Sequence, residues 1–110
     1  MQILTIKRTC TACPSQWEGT TEDGQYFYIR YRWGNLFIGK GKTLNDAIDS
    51  CIVHQKIGDS LDGFLSNVSL IEKLQEYSIN FSEEAINYLI ETNESKLNFN
   101  KRLEQLLNQE

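Results

Sequence analysis

Apolar and polar residues alternate most regularly over residues 25–38, which read QYFYIRYRWGNLFI. Successive side chains of a strand point to opposite faces, so this alternation predicts two faces of different character. One face is apolar and should pack on the core: Phe27, Ile29, Tyr31 and Trp33. The other is aromatic and basic and should be exposed: Tyr26, Tyr28, Arg30 and Arg32. Gly34–Asn35 lies where the run turns back, and this pair predicts a β-hairpin turn.

The residues before this hairpin predict the rest of a small antiparallel sheet. Residues 15–21 have the composition of a strand, and Asp23–Gly24 after them is a hairpin turn sequence. Residues 3–7 are a further short strand that would join as a fourth. We therefore expect a three- or four-stranded antiparallel meander over residues 1–42.

The hydrophobic pattern changes to a helical period after residue 42. Thr43-Leu-Asn-Asp46 resembles a capping box, and a 3.6-period apolar stripe follows it: Leu44, Ala47, Ile48, Cys51 and Ile52. Gly58 predicts the end of this first helix. We expect the helix to pack on the apolar face that contains Phe27 and Ile29.

Three later segments also predict helices. Ser69-Leu-Ile-Glu72 is a capping box for a short helix that ends near Tyr77, and Ser82 caps the next one. Residues 101–108 predict a final helix with three leucines. Because strands precede helices along the chain, we expect a single α+β domain over residues 1–110. Its helical part, residues 43–110, should place three or four helices on one face of the sheet.

Charge is divided unevenly between the two parts. The chain has a net charge of −4. Residues 1–43 carry six basic and three acidic residues, a net +3, whereas residues 44–110 carry five basic and twelve acidic residues, a net −7. The acidic part would repel nucleic acid and could attract a basic partner; its simplest interpretation is a solvated helix surface. No run of about 18 apolar residues predicts a membrane span, and the first residues lack a signal-peptide core, so we expect a cytoplasmic protein.

The cysteines and the single histidine suggest a metal hypothesis. Cys10-Thr-Ala-Cys13 and Cys51-Ile-Val-His54 supply four ligands that suit tetrahedral zinc. The order of elements over about residues 10–54 resembles that of treble-clef zinc fingers: a cysteine-bearing turn, a β-hairpin and then a helix that carries the second pair of ligands. This resemblance implies a zinc-stabilised module that a chelator unfolds. The alternative is that these are unrelated core or surface residues, and the place of Cys51 on the apolar stripe favours that reading.

The exposed face of the hairpin is the main candidate binding site. Tyr26 and Tyr28 with Arg30 and Arg32 could stack on a base and hold a phosphate, and Lys40 would add charge. Arginine and tyrosine are also enriched at protein interfaces, and they occur as cross-strand pairs on plain solvated sheets. The residues alone leave these three alternatives open.

No pattern in the chain indicates catalysis. Cys51 and His54 are the only Cys/His pair close in sequence, and neither an oxyanion element nor a family signature accompanies them. We therefore expect a non-enzymatic binding protein that acts through protein–protein contact. Small acidic inhibitors or regulators of nucleic-acid-handling partners, such as phage-type defence inhibitors, share this profile. The alternatives are a nucleotide or nucleic-acid binding domain on the Arg/Tyr face and the zinc-stabilised module. A homodimer is also compatible with the sequence.

Overall fold

A six-stranded sheet organises the chain. The structure is a computed structural model that describes residues 1–12, 14–59 and 63–92. In chain order the elements are β1 (Gln2–Cys10), β2 (Ser15–Thr21), β3 (Tyr26–Arg32), β4 (Asn35–Gly41), α1 (Leu44–Asp49), β5 (Cys51–Lys56), α2 (Asn67–Glu76), β6 (Asn80–Phe81) and α3, which covers residues 83–92 as far as it is described. The strand order across the sheet is β5-β4-β3-β2-β1-β6.

The predicted α+β class is confirmed, and the number of strands differs from the prediction. Strands β1 to β5 pair as antiparallel neighbours, and β6 pairs parallel to β1. Within the described residues the sheet has six strands instead of three or four, because β5 and β6 were not predicted. The predicted fourth helix, residues 101–108, lies outside the described residues. In the described ranges no helix is long and apolar enough to span a membrane.

The first helix is shorter than predicted, and it lies on the other face. Thr43 caps α1 as expected, since its hydroxyl accepts a hydrogen bond from the Asp46 amide. The chain then leaves the helix at Ser50, and residues 51–56 form β5. The β-branched Ile52 and Val53 suit a strand, and β4 offers them a backbone to pair with.

Glycine in β4 allows α1 to lie directly on the sheet. Gly39 is in register with Tyr28, so both belong to the face opposite the core. A Cβ at Gly39 would lie 1.7 Å from the Ala47 carbonyl oxygen. The prediction that the first helix covers Phe27 and Ile29 is therefore wrong, because α1 covers the Tyr28 side.

The apolar face of the sheet is covered by α2, α3 and the segment before α2. Their buried residues join those of the strands in one cluster: Ile3, Ile6, Trp17, Phe27, Ile29, Tyr31, Leu36, Ile38, Leu65, Leu70, Leu74, Ile79, Phe81, Ala85 and Leu89. Each large side chain that is fully buried contributes about 1.5–3 kcal/mol. Ser66 caps α2, so this helix begins before the predicted Ser69; Ser82 caps the next helix as predicted.

A polar network crosses the same interface. The Arg8 guanidinium stacks on the Trp17 ring, with its carbon 4.5 Å from the ring centroid, and donates to Asn67 Oδ1 at 2.8 Å. Asn67 Oδ1 also accepts a hydrogen bond from Trp17 Nε1 at 3.1 Å. The side-chain nitrogen of Asn67, Nδ2, donates to the Leu89 carbonyl at 3.0 Å. Burial lowers the pKa of Arg8 below its usual value. The network ties α2 and α3 to the sheet.

Candidate functional site

Two rows of side chains cross β3, β4 and β5 on the face away from the core. In the first row Arg30 lies opposite Phe37, and Phe37 lies opposite His54. In the second row Arg32 lies opposite Asn35, and Asn35 lies opposite Lys56. The rows border a groove of about 300 Å³, which we call the Arg/aromatic groove; its lining residues are Arg30, Arg32, Trp33, Asn35, Phe37 and His54.

Trp33 occupies the tight turn at the end of this groove. Its φ is 52° and that of Gly34 is 73°, and the flanking residues Arg32 and Asn35 pair with each other. Two consecutive positive φ values define a type I′ hairpin turn. The turn is therefore Trp33–Gly34 instead of the predicted Gly34–Asn35. The prediction that Trp33 is a core residue is also wrong, because 59% of it is exposed.

The turn is held in place by the segment that follows β5. The amides of Ile57 and Gly58 donate to the Gly34 carbonyl at 2.8 and 3.1 Å. A Cβ at Gly34 would lie 2.3 Å from the carbonyl oxygens of Gly58 and Asp59, so only glycine allows this close approach. Trp33 is thus an exposed aromatic ring on a fixed backbone.

Both arginines of the groove stack on aromatic rings. The Arg32 guanidinium carbon lies 4.1 Å from the Trp33 ring centroid, and that of Arg30 lies 5.5 Å from the Phe37 centroid. Among the described residues, no carboxylate forms an ion pair with either guanidinium. Their charge is therefore available to a ligand, and the stacking limits the orientations of the two side chains.

Tyr28 packs beside the groove, against one of its lining residues. Its ring packs edge-on against Phe37 with centroids 6.0 Å apart, and Phe37 packs in the same way against His54 at 6.4 Å. The Gln16 amide donates to the Tyr28 hydroxyl at 2.9 Å. Only 8% of Tyr28 is exposed, which contradicts its predicted place on an open surface. Tyr28 is therefore a buried neighbour of Phe37 beside the groove, and it does not line the groove.

Tyr26 and Lys40, two predicted site residues, lie away from the groove. Tyr26 is 43% exposed and lines a separate cavity of about 220 Å³ with Leu44. Lys40 is in register with the buried Phe27, so its side chain leaves from the other face, and its ammonium binds Asp23 at 2.7 Å. Hydrogen bonds from Lys40 and from the Thr21 hydroxyl lower the pKa of Asp23 to about 2.

The predicted metal ligands lie on distant strands. Cys10 is on β1, whereas Cys51 and His54 are on β5, and three strands separate the two. At about 4.8 Å per strand this is roughly 19 Å along the sheet. The predicted helical placement of Cys51 and His54 is wrong. Cys13 lies outside the described residues, and within the described part no group of three His, Cys, Asp or Glu side chains could hold a metal. The zinc hypothesis stays a prediction.

Several residues of the groove were missed from the sequence: Trp33, Asn35, Phe37 and His54. Counting the cross-strand register from a two-residue turn at Trp33–Gly34 would have placed Phe37 beside Arg30. No local signal indicates His54, because its position depends on the unpredicted β5.

The groove offers cations, aromatic rings and amide donors. None of the described residues that line it carries a carboxylate, a hydroxyl nucleophile or a thiol, so it is suited to hold anionic or planar groups. No protein-family model matches the chain, and no curated protein or solved structure is significantly similar to it.

Proposed function

We propose that this chain is a non-enzymatic binding protein that acts through protein–protein contact. The Arg/aromatic groove is its docking surface, and an acidic surface of the partner protein occupies it. Tryptophan and arginine are the residues that most often carry the binding energy of protein interfaces. Here they share one groove in which Arg30 and Arg32 form no ion pair with a described carboxylate.

The conformation of Trp33 is the observation that carries the proposal. A left-handed backbone costs a residue with a Cβ about 1–2 kcal/mol. Asn or Gly would fit the turn with less strain, and Trp33 does not repay the cost by filling the core, since 59% of it is exposed. Backbone strain at an exposed aromatic residue is typical of sites that are kept for binding.

A second candidate function is the binding of a nucleotide or a short nucleic acid in the same groove. It is favoured by the stacked arrangement of arginines and rings, which can hold phosphates and bases. The net charge of −7 over residues 44–110 disfavours it, because an acidic surface repels a polyanion. An inhibitor or regulator of a nucleic-acid-handling protein remains part of this proposal, with an acidic surface of that protein in the groove.

An affinity capture with two charge-reversed variants tests the proposal. Wild-type protein, the groove variant Arg30→Glu/Arg32→Glu and the control variant Lys7→Glu/Lys42→Glu are immobilised and exposed to lysate. Lys7 and Lys42 are exposed and lie outside the groove, and both variants change the net charge equally. The partner captured by the wild type is identified, purified and titrated against all three proteins by calorimetry.

We expect the control variant to bind like the wild type and the groove variant to lose at least tenfold in affinity. The fold of the groove variant should persist, because two exposed cation–π contacts together contribute about 1–2 kcal/mol. Equal affinities of wild type and groove variant would contradict the proposal. Retention of nucleic acid that weakens steeply with added salt would instead favour the second candidate.

A further inference from the structure

Strand β5 forms one edge of the sheet. It pairs with β4, and in the part of the chain that the structure describes no strand lies on its other side. All its residues are exposed except the half-buried Val53. An edge strand of this length presents unpaired amides and carbonyls to which another extended chain can bind.

The direction of the backbone groups follows from the pairing of β4 with β5. The Ile57 amide donates to the Gly34 carbonyl at 2.8 Å. Residues of an antiparallel pair alternate between hydrogen-bonded and non-hydrogen-bonded positions. The amides and carbonyls of Gln55 and Val53 therefore point to β4, whereas those of His54 and Lys56 point to the free edge.

The side chains of His54 and Lys56 extend the two rows of the groove to this edge. From β3 to β5, the first row consists of Arg30, Phe37 and His54, and the second consists of Arg32, Asn35 and Lys56. The last residue of each row therefore lies at the free edge. A strand added along β5 would place alternate side chains opposite His54 and Lys56, with Cβ atoms about 5 Å apart. On β3, β4 and β5 neither row contains an acidic residue, and Arg30, Arg32 and Lys56 are basic. Carboxylates on the added strand would therefore complement the positive charge of the rows.

Resting on the function proposed above, we propose that β5 binds an extended segment of the partner protein by strand addition, and that this segment carries Asp or Glu at alternate positions. Backbone hydrogen bonds to His54 and Lys56 fix its register. Its carboxylates lie on the groove side, where Lys56, Arg32 and Arg30 supply positive charge.

Synthetic peptides in which glutamate alternates with threonine test this proposal. In an antiparallel strand with its glutamates on the groove side, the glutamate amides face β5 and the threonine amides face away. Three peptides are compared by NMR titration against the intact protein: the parent, one with N-methyl groups on the glutamate amides, and a matched control with N-methyl groups on the threonine amides.

We expect the parent and the control peptide to bind saturably and the glutamate-methylated peptide to bind at least tenfold more weakly. In the complex with the parent peptide, hydrogen exchange of the His54 and Lys56 amides should be at least tenfold slower than in the free protein. No saturable binding of the parent, or equal binding of the two methylated peptides, would overturn the proposal. Concentration-dependent protection of the same amides without peptide would also overturn it, because a second copy of the chain then occupies the edge. These outcomes are separate from the capture experiment, since loss of capture by Arg30→Glu/Arg32→Glu supports the groove whether or not a strand is added.

Discussion

Replacing Trp33 by asparagine should stabilise the fold and weaken partner binding. The substitution relieves a left-handed backbone, with φ of 52°, at a position where asparagine is favoured. The relief amounts to about 1–2 kcal/mol. The loss of the Arg32 stack, 4.1 Å from the ring, removes about 0.5–1 kcal/mol. We therefore expect a net gain of about 0.5–1 kcal/mol, or about 2–5 °C in Tm.

Urea denaturation followed by circular dichroism measures the stability term, and calorimetry with the captured partner measures the binding term. Trp33→Phe keeps both the strain and a ring, so it should change stability little and retain much of the affinity. Ser78→Gly is the matched control for strain alone. Ser78 follows α2 with φ of 59°, where glycine is preferred, and it lies outside the groove. It should gain about 0.5–1 kcal/mol and bind the partner like the wild type.

Two results would refute this reasoning. The first is a loss of stability of about 1 kcal/mol or more in Trp33→Asn. A loss of this size equals the whole contribution of the Arg32–Trp33 stack, so no strain would have been relieved at the turn. If Trp33→Asn binds the partner as tightly as the wild type does, the exposed ring is not part of the interface, and the main support for the groove is lost.

Two further predictions concern stability. Asn67→Ala should cost about 2–4 kcal/mol in urea denaturation, because it leaves donors of Arg8 and Trp17 buried without their acceptor; a loss below about 1 kcal/mol would contradict this role of the network. The pKa of Asp23 is lowered to about 2 by Lys40, so its ion pair stabilises the fold above the unfolded value of about 4 and is lost as the pH falls toward about 2. The difference in Tm between wild type and Asp23→Asn should therefore be present at pH 7 and disappear near pH 2, and a constant difference would show that the ion pair contributes nothing.

Local patterns predicted the hairpin but not its register. The alternation over residues 25–38 and the glycine at its centre are local signals, and β3 and β4 form where they indicate. Asparagine tolerates positive φ better than tryptophan, so local preference favoured Gly34–Asn35 as the turn. The core favours a turn at Trp33–Gly34, because the resulting register places Ile29 opposite Ile38. A turn at Gly34–Asn35 would place Ile29 opposite Lys40.

Other features depend on contacts between distant segments. Residues 51–56 continue an apolar helical stripe and also suit a strand, and the free edge of β4 determines which structure forms. The side of the sheet that α1 covers is set by Gly39, whose role appears only when the helix lies on it. Arg8 hydrogen-bonds to Thr11 and Ser15 near it in sequence, but its burial depends on the distant Asn67 and on the segment before α2.

The most direct test of the groove is an NMR map of the complex with the captured partner. The labelled protein is titrated with the unlabelled partner, and the amide signals that shift or broaden are assigned. We predict that the affected amides cluster in residues 30–37 and 54–56, which contain the groove and the edge of β5. Changes confined to α2 and residues 83–92 would contradict the account, because the partner would then bind the acidic helices instead of the arginines.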